Sequence, residues 1–239
     1  IIEKYKGSEL MKKKNSYIGI SFIILLFGIW AVPKVVDRIS KNDVNVGTRM
    51  NKVTEGSLSY LEVEGVDRKM PAFTFRNQDS LLISNDDYKG KVYVAEFFFT
   101  TCPSICPIMN RNMLKLQKEF GDNDNFGIAS FTIDPKNDTP IVLKEYAEEY
   151  GVTSLNWHML TGDISAIYEL SNKGLNIFTG INPDVAGGFE HQGYFALIDK
   201  EGFIRCRRDA HGNPIVYYQG TESEQIEILK EDIAKLLEE

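Results

Sequence analysis

The stretch EFFFTTCPSICPIMN, residues 96–110, decides how the chain is interpreted. Its two cysteines, Cys102 and Cys106, are four positions apart, and a proline follows each. The aromatic run before them is typical of a buried strand, and Pro107 suits the first turn of a helix. The residues alone leave three interpretations open. The pair is a disulfide switch, a peroxide-reducing site, or two ligands of a metal ion whose third ligand lies elsewhere.

The segments around this pair alternate between strand and helix patterns. The apolar runs KVYVAEFFF and NFGIASFTI predict buried strands, and a helix from Pro107 to about Phe120 separates them. The segment KGLNIFTGINPDVAGGFE is predicted to be a loop, and a hairpin, GYFALID–KEG–FIRCRR, follows it. A last helix has Thr221 and Glu224 as a predicted capping box. The order β-β-α-β-α-β-α-β-β-α predicts an α/β fold with a mixed sheet flanked by helices, and the position of the cysteines is typical of a thioredoxin-like domain.

Composition limits the classes of function. The chain has 239 residues and a net charge of −7. No basic stripe or block appears in the sequence beyond Lys12–Lys14, so nucleic acid is not an expected partner. A hydrophobic fraction of 43% is ordinary for a globular domain with a core. Three cysteines are too few for a disulfide scaffold at this length, which favours a site over a structural crosslink.

The N-terminal part of the sequence predicts an uncleaved membrane anchor, and a cleaved signal peptide is the alternative. Met11 and the lysines that follow it precede the segment YIGISFIILLFGIWAVPKVV, which is about 20 residues long, as a bilayer crossing requires. The lysines favour an orientation with the remainder of the chain outside the cytoplasm. Residues 1–10, which precede Met11, are expected to be an artefact of translation or gene prediction. Four segments are predicted in chain order: a cytoplasmic segment at 1–16, a single transmembrane helix at 17–36, a linker at 37–64 and a thioredoxin-like domain at 65–239.

The chemistry of the residues is compatible with a metal site, which is one of the three open interpretations. Unpaired N–H groups at a helix N-terminus favour thiolates, and two thiolates bind soft ions such as Cu(I), with imidazole as an acceptable third ligand. The chain has three histidines. His158 lies in a predicted strand and is expected to be structural, while His211 lies in a polar turn and is expected to be solvated. His191, between a glycine-rich loop and the last hairpin, remains open as a ligand or a solvated loop residue.

Asp134 is the candidate neighbour of the thiols. It ends the strand after the cysteine strand, and parallel strands joined by a right-handed crossover place their carboxyl ends side by side. The alternative is that Asp134 and Pro135 form a simple turn. The third cysteine, Cys206, lies on a predicted hairpin strand and is expected to be structural.

Four segments together resemble the Sco/SenC family: FFFTTCPSICPIMN, FTIDPKNDTPIVLKEYAEEYG, WHMLTGD and HQGYFALIDKEGFIR. The similarity runs from about Pro71 to Leu237. The combination is specific because it joins C-x-x-x-C followed by proline, a D-P-x-x-D-T-P loop, and a histidine 85 residues after the second cysteine.

The resemblance implies a membrane-anchored, thioredoxin-like copper protein that helps to deliver copper to the CuA site of cytochrome c oxidase. The implied copper ligands are Cys102, Cys106 and His191, with Asp134 near the site and copper as Cu(I), Cu(II) or both. The implied partners are the oxidase subunit that carries the CuA site and a copper donor protein. The implied location is a bacterial inner membrane, crossed once, with the soluble domain facing the periplasm.

The resemblance also leaves an enzyme as the alternative. Some members are thiol–disulfide oxidoreductases that act on the cysteines of the oxidase subunit, with Cys102 and Cys106 as the redox pair. Thioredoxins have a two-residue spacer and a cis-proline before the strand that faces the site. Here the spacer has three residues, and Gln192 and Gly193 precede that strand. The sequence therefore favours a binding protein over a general reductase or a peroxidase.

Overall fold

The computed structural model describes residues 19–30, 32–33 and 58–239. The chain divides into two compact units, Ile1–Lys52 and Val53–Glu239. The described residues of the first unit are helical. Among the described residues, none of the helices combines the length and the apolar character that crossing a bilayer requires.

Several predictions of the chain layout lie outside the described residues. They are the cytoplasmic segment at 1–16, the two ends of the membrane segment at 17–36, and the linker at 37–64 as far as residue 57. The remaining part of that linker belongs to the fold, because Ser59 and Tyr60 pair with Cys206 and Arg205.

The second unit is built from short strands. In chain order they are β1 (Ser59–Tyr60), β2 (Glu62–Val63), β3 (Val66–Asp67), β4 (Thr74–Arg76), β5 (Leu82–Ser84), β6 (Val92–Phe98), β7 (Phe126–Thr132), β8 (Trp157–Leu160), β9 (Thr179–Ile181), β10 (Phe189–His191), β11 (Tyr194–Ile198), β12 (Ile204–Arg208), β13 (Pro214–Ile215) and β14 (Tyr217–Gln219).

The helices of this unit are α1 (Cys106–Phe120), α2 (Pro140–Tyr150), α3 (Ile164–Glu169) and α4 (Ser223–Glu238). A 3₁₀ turn, Asn85–Tyr88, precedes β6, and a π-helical turn, Leu170–Leu175, continues α3.

One mixed sheet organises these elements. Its strand order within residues 58–239 is β1-β12-β11-β6-β7-β8, with β13 beside β12 and β14 beside β11. The β6, β7 and β8 strands are parallel, and β11 joins β6 antiparallel. The pairs β2–β3, β4–β5 and β9–β10 form separate two-stranded sheets. The predicted α/β fold with a mixed sheet and flanking helices is confirmed.

The centre of the sheet explains where a site can form. Every residue of β6 and β7 is buried, as the continuous apolar pattern predicts for strands covered on both faces. Parallel strands need a crossover, and α1 and α2 supply it in two successive βαβ units. The carboxyl ends of β6 and β7 therefore lie at the same edge, which is where ligands bind in sheets of this kind.

Local sequence sets the bounds of the two crossover helices. Pro107 lies in the first turn of α1, where its missing N–H costs nothing, and the helix begins at Cys106, one residue before the predicted start. In α2, the Thr139 side chain accepts from the Val142 N–H and Pro140 opens the helix. Gly151 ends α2 with φ +77°, a left-handed conformation that glycine adopts without strain.

Two local predictions were wrong. The segment KGLNIFTGINPDVAGGFE is not only a loop, because it contains β9 and most of β10, which pair with each other. The predicted capping box of Thr221 and Glu224 is absent: α4 has Glu222 as its N-cap, without a side-chain capping bond.

The outer edge of β8 is covered by one side chain. Gln78 donates from its amide nitrogen to the Trp157 carbonyl at 2.9 Å, and its amide oxygen accepts from the Met159 N–H at 2.8 Å. The Gln78 amide thus satisfies backbone groups that an additional strand would otherwise bond.

Candidate metal centre

Both cysteines lie at the carboxyl edge of β6. The strand ends at Phe98, a turn follows, and α1 begins at Cys106. Cys106 is fully buried and Cys102 is 8% exposed. Both are free thiols, as is the buried Cys206. The turn thus places one thiol at the surface side of the site and the other beneath it.

His191 reaches the pair from the end of β10. Its Nε2 atom lies 3.1 Å from the Cys106 sulfur, and its Nδ1 atom lies 3.3 Å from the Gln192 carbonyl oxygen. A carbonyl only accepts, so Nδ1 carries the proton and Nε2 presents a lone pair toward the thiols. This is the tautomer that a metal-binding imidazole needs.

The three side chains form a compact donor set. One ligand atom each from Cys102, Cys106 and His191 lies within 4.8 Å of the others, and within the described residues this is the one such cluster. Two sulfurs and one imidazole nitrogen are soft or borderline donors, which suits Cu(I) better than the hard ions Mg²⁺ or Ca²⁺. The residues present therefore fit a soft metal ion.

Opposite pKa shifts distinguish the two thiols. The pKa of Cys102 is lowered, first because it accepts a hydrogen bond from the Cys106 side chain, with further hydrogen bonds from the N–H groups of Cys106 and Ser104. The pKa of Cys106 is raised, chiefly by burial and also by the negative charge of Cys102. The pair therefore holds one proton on Cys106 and presents a thiolate at Cys102.

Aromatic and glycine contacts hold the β9–β10 hairpin against the cysteine turn. The Phe99 ring meets the rings of Phe189 and His191, with centroids 5.3 and 5.8 Å apart. A Cβ atom at Gly187 would lie 2.9 Å from Phe99 Cε2 and 3.2 Å from Pro103 Cδ. The backbone of the hairpin loop can come this close only because residue 187 has no side chain.

The structure places Asp134 within its own loop. Its backbone N–H donates to the Thr132 hydroxyl at 3.0 Å, and its carbonyl accepts from the N–H groups of Asn137 and Asp138. Asp134 is not a member of the Cys102–Cys106–His191 group. Its placement close to the thiols stays a prediction.

Asp138 is the residue of this loop that contacts the cysteine turn. Its fully buried carboxylate accepts from the Thr100 N–H at 3.1 Å and from the Thr100 hydroxyl at 2.5 Å. The sequence did not predict this contact, although Asp138 lies within the DPKNDTP loop, residues 134–140.

Glu96 is a second buried acid for which the sequence predicted no role. It is fully buried in β6, its Oε1 atom accepts from the Ser130 hydroxyl at 2.8 Å, and Oε2 has no partner. Burial raises the pKa of Glu96 to about 7. Its charge is also one of the influences that raise the pKa of Cys106.

The other two histidines are not in the donor set. His158 is half-buried in β8, where its Nδ1 atom lies 3.2 Å from the Asn77 amide nitrogen, and burial lowers its pKa. His211 is exposed in the turn after β12. Their predicted structural and solvated settings match these positions.

The fold and the donor set define a class: a thioredoxin-like protein with a Cys–Cys–His centre suited to a soft metal. Comparison with known proteins then identifies the family. The SCO1/SenC family model matches residues 62–224. The chain belongs to the SCO1/SenC family.

Individual relatives agree with this assignment. The chain is 38% identical over 135 residues to a SCO1 protein homolog of Bacillus subtilis, covering 55% of this chain and 69% of that protein. It is also similar to the structure of BsSco, a member of the Sco family of cytochrome c oxidase assembly proteins in which a disulfide switch was identified. The TM-score is 0.61 at 30% identity, covering 76% of this chain and 98% of that one.

A more distant structure, Bradyrhizobium japonicum ScoI with copper bound, shares the fold. The TM-score is 0.51 at 20% identity, covering 71% of this chain and 99% of that one.

Proposed function

We propose that the protein is a metallochaperone that binds copper through Cys102, Cys106 and His191 and supplies it to the CuA site of cytochrome c oxidase. The observation that carries this proposal is the convergence of two sulfurs and one imidazole nitrogen within 4.8 Å. Two thiolates and one imidazole bind Cu(I) firmly, yet leave it open to ligand exchange with an acceptor. A binding and transfer protein needs that combination.

The protein's own residues prepare the centre for the ion. The Cys102 thiolate is available at once, whereas Cys106 must lose its proton before its sulfur can bind. His191 already presents Nε2, because the Gln192 carbonyl holds the proton on Nδ1. Only the dithiol form can act in this way, so a disulfide between Cys102 and Cys106 is the form that does not bind copper.

The relatives support the wider setting of this proposal. Copper is bound in ScoI of Bradyrhizobium japonicum, and BsSco belongs to a family of cytochrome c oxidase assembly proteins. The proposed partners are the oxidase subunit with the CuA site and a copper donor protein. The proposed location is a bacterial inner membrane, with an anchor at residues 17–36 and the domain facing the periplasm.

Copper affinity measured on the full chain tests the proposal. The reduced protein competes with a chromogenic Cu(I) chelator, and His191→Ala is compared with His211→Ala, which removes an exposed imidazole from outside the donor set. We expect His191→Ala to lose more than the roughly 10- to 100-fold in affinity that loss of an outer-shell partner costs, and His211→Ala to match the wild type. Equal affinities for all three proteins would overturn the assignment of His191.

A thiol–disulfide oxidoreductase acting on the cysteines of the oxidase subunit is the second candidate. The observation that favours it is the thiolate at Cys102 beside a protonated Cys106. The Cys102 thiolate would attack a client disulfide and release one client thiolate. Cys106, after losing its proton, would then displace the second client thiolate, leaving a Cys102–Cys106 disulfide and a reduced client.

Trapping separates the two candidates. In Cys106→Ser the second displacement cannot occur, so an oxidoreductase accumulates a mixed disulfide through Cys102 with a peptide that carries the CuA cysteines in oxidised form. Non-reducing gels show this adduct. Rapid reduction of the peptide by a wild-type protein that binds no Cu(I) would favour the enzyme.

A further inference from the structure

The loop between β7 and α2 is joined to the cysteine turn by a buried carboxylate. Asp138 is fully buried and accepts four hydrogen bonds. Two come from Thr100, through its N–H at 3.1 Å and its hydroxyl at 2.5 Å. The others come from the Thr132 hydroxyl and from the Asn137 amide nitrogen, the latter at 2.8 Å.

All four donors are uncharged. A buried carboxylate is costly unless hydrogen bonds compensate for its lost hydration, and here they do so without a cation. These hydrogen bonds form only while the donors are held in place, and the carboxylate in turn helps to hold the donors. The carboxylate fixes the two segments that supply the donors relative to each other.

These segments include the turn that carries the thiols. Thr100 precedes Cys102 by two residues, and both its backbone and its side chain are bonded to Asp138, which fixes the orientation of the residue as well as its position. Thr132 is the last residue of β7 and pairs in register with Phe98, the last residue of β6. Asp138 therefore joins the end of one central strand to the turn that leaves the other.

We propose that Asp138 is a positioning residue for the copper centre: its carboxylate holds Thr100, and through it the Cys102 turn, so that Cys102 and Cys106 are placed to bind a single ion. This inference rests on the proposed function for the identity of the ion. The placement of the two thiols also controls how readily they form a disulfide, which is measured without copper.

The experiment uses the full chain with two substitutions and one matched control. Asp138→Asn keeps the size of the side chain but directs an amide donor at the groups that donate to it. Thr100→Val removes the hydroxyl and keeps the shape of the residue. The control is Asp232→Asn, since Asp232 is an equally buried carboxylate in α4 that accepts from Arg207 and from the Tyr218 hydroxyl. The stability of each variant is measured by urea unfolding.

Two readouts follow: Cu(I) affinity by chelator competition, and the equilibrium constant for disulfide formation in glutathione buffers. We expect Asp138→Asn to weaken Cu(I) binding about 10- to 100-fold, as loss of an outer-shell partner does. Its disulfide equilibrium should shift toward the dithiol, because each thiol has a lower effective concentration at the other. Thr100→Val should shift the Cu(I) affinity and the disulfide equilibrium in the same direction, but less than Asp138→Asn does. Asp232→Asn should lower the stability of the protein and leave its Cu(I) affinity and disulfide equilibrium as in the wild type.

The outcomes are distinct. A folded Asp138→Asn protein with wild-type copper affinity and disulfide equilibrium overturns the proposal, and so does an Asp232→Asn protein that shifts as much as Asp138→Asn. If Asp138→Asn does not fold, Thr100→Val decides. A lower Cu(I) affinity and a smaller equilibrium constant for disulfide formation support the proposal, and wild-type values of both overturn it. Should the wild type not bind Cu(I), the proposed function fails, while the disulfide equilibrium still tests the role of Asp138.

Discussion

At the scale of single residues, the two cysteines are chemically unequal although they share one turn. Cys102 accepts hydrogen bonds and is slightly exposed, whereas Cys106 is fully buried and keeps its proton. A thiolate is the reactive form of cysteine, so reactivity follows protonation and exposure together. The inequality gives the pair an outer thiol that reaches the surface and an inner thiol that lies beneath it.

We predict that alkylation distinguishes the cysteines. In the reduced, metal-free protein, iodoacetamide should modify Cys102 well before Cys106, and Cys206 should react as slowly as Cys106, because burial raises its pKa as well. Peptide mass spectrometry over a time course measures the order. Equal rates at Cys102 and Cys106 would contradict the unequal protonation.

Glu96 should give the protein a pH-dependent stability. Burial raises its pKa from 4.5 to about 7, so between these values the folded state keeps a proton that the unfolded state releases. The free energy of unfolding therefore falls as pH rises through this window, by about 3 kcal/mol in total. Glu96→Gln, which cannot ionise, should remove this decline.

Urea unfolding of the metal-free protein between pH 5 and pH 8 measures the effect of Glu96. The surface substitution Glu149→Gln is the control and should keep the wild-type slope, since Glu149 is exposed. A Glu96→Gln protein that declines as steeply as the wild type would show that another group titrates.

At the scale of elements, two parts of the fold supply the candidate metal ligands. Cys102 and Cys106 come from the turn after β6 and the helix start that follows it, and His191 comes from the β9–β10 hairpin. The hairpin strands pair with each other and form a sheet of their own. The position of His191 therefore depends on how the hairpin loop packs on Phe99 and Pro103, where Gly187 makes the close approach.

Two neighbouring glycines test this packing. Gly187 and Gly188 both have positive φ, +92° and +78°, so alanine at either should cost about 1 kcal/mol or more in backbone strain. Only Gly187 has atoms of Phe99 and Pro103 in the way of a Cβ, while Gly188 has nothing within 4 Å. We expect Gly187→Ala to weaken Cu(I) binding several-fold more than Gly188→Ala. Chelator competition measures both, and equal losses would mean that strain alone matters.

The elements also show what sequence can and cannot predict. The strands around the cysteines and helix α1 were predicted correctly because burial on both faces and a proline in the first turn leave local patterns. The β9–β10 hairpin was not predicted, because its pairing depends on a loop that packs against a turn distant in the sequence. The contact from Asp138 to Thr100 was missed for the same reason: it joins residues 38 apart, and no spacing rule connects them.

At the scale of the whole molecule, binding of copper links segments that are far apart in sequence. Cys106 and His191 are separated by 85 residues, and the ion would bridge them only in the folded state. A ligand that binds the folded state alone stabilises it by an amount that depends on its concentration relative to Kd.

We therefore predict that Cu(I) raises the melting temperature of the reduced protein and not of the disulfide form. At a free Cu(I) concentration 1,000 times Kd, the stabilisation should be about 4 kcal/mol. Calorimetry with chelator-buffered Cu(I) measures it in both redox forms. An equal rise in the disulfide form would place the ion outside the Cys102–Cys106–His191 group.

The covering of β8 by Gln78 has a consequence for how this molecule meets others. An uncovered edge strand offers backbone groups to any other chain, which leads to aggregation or unselective pairing. At β8 the Trp157 carbonyl and the Met159 N–H are already bonded to Gln78. The main sheet is thus blocked from growing by strand addition at this position.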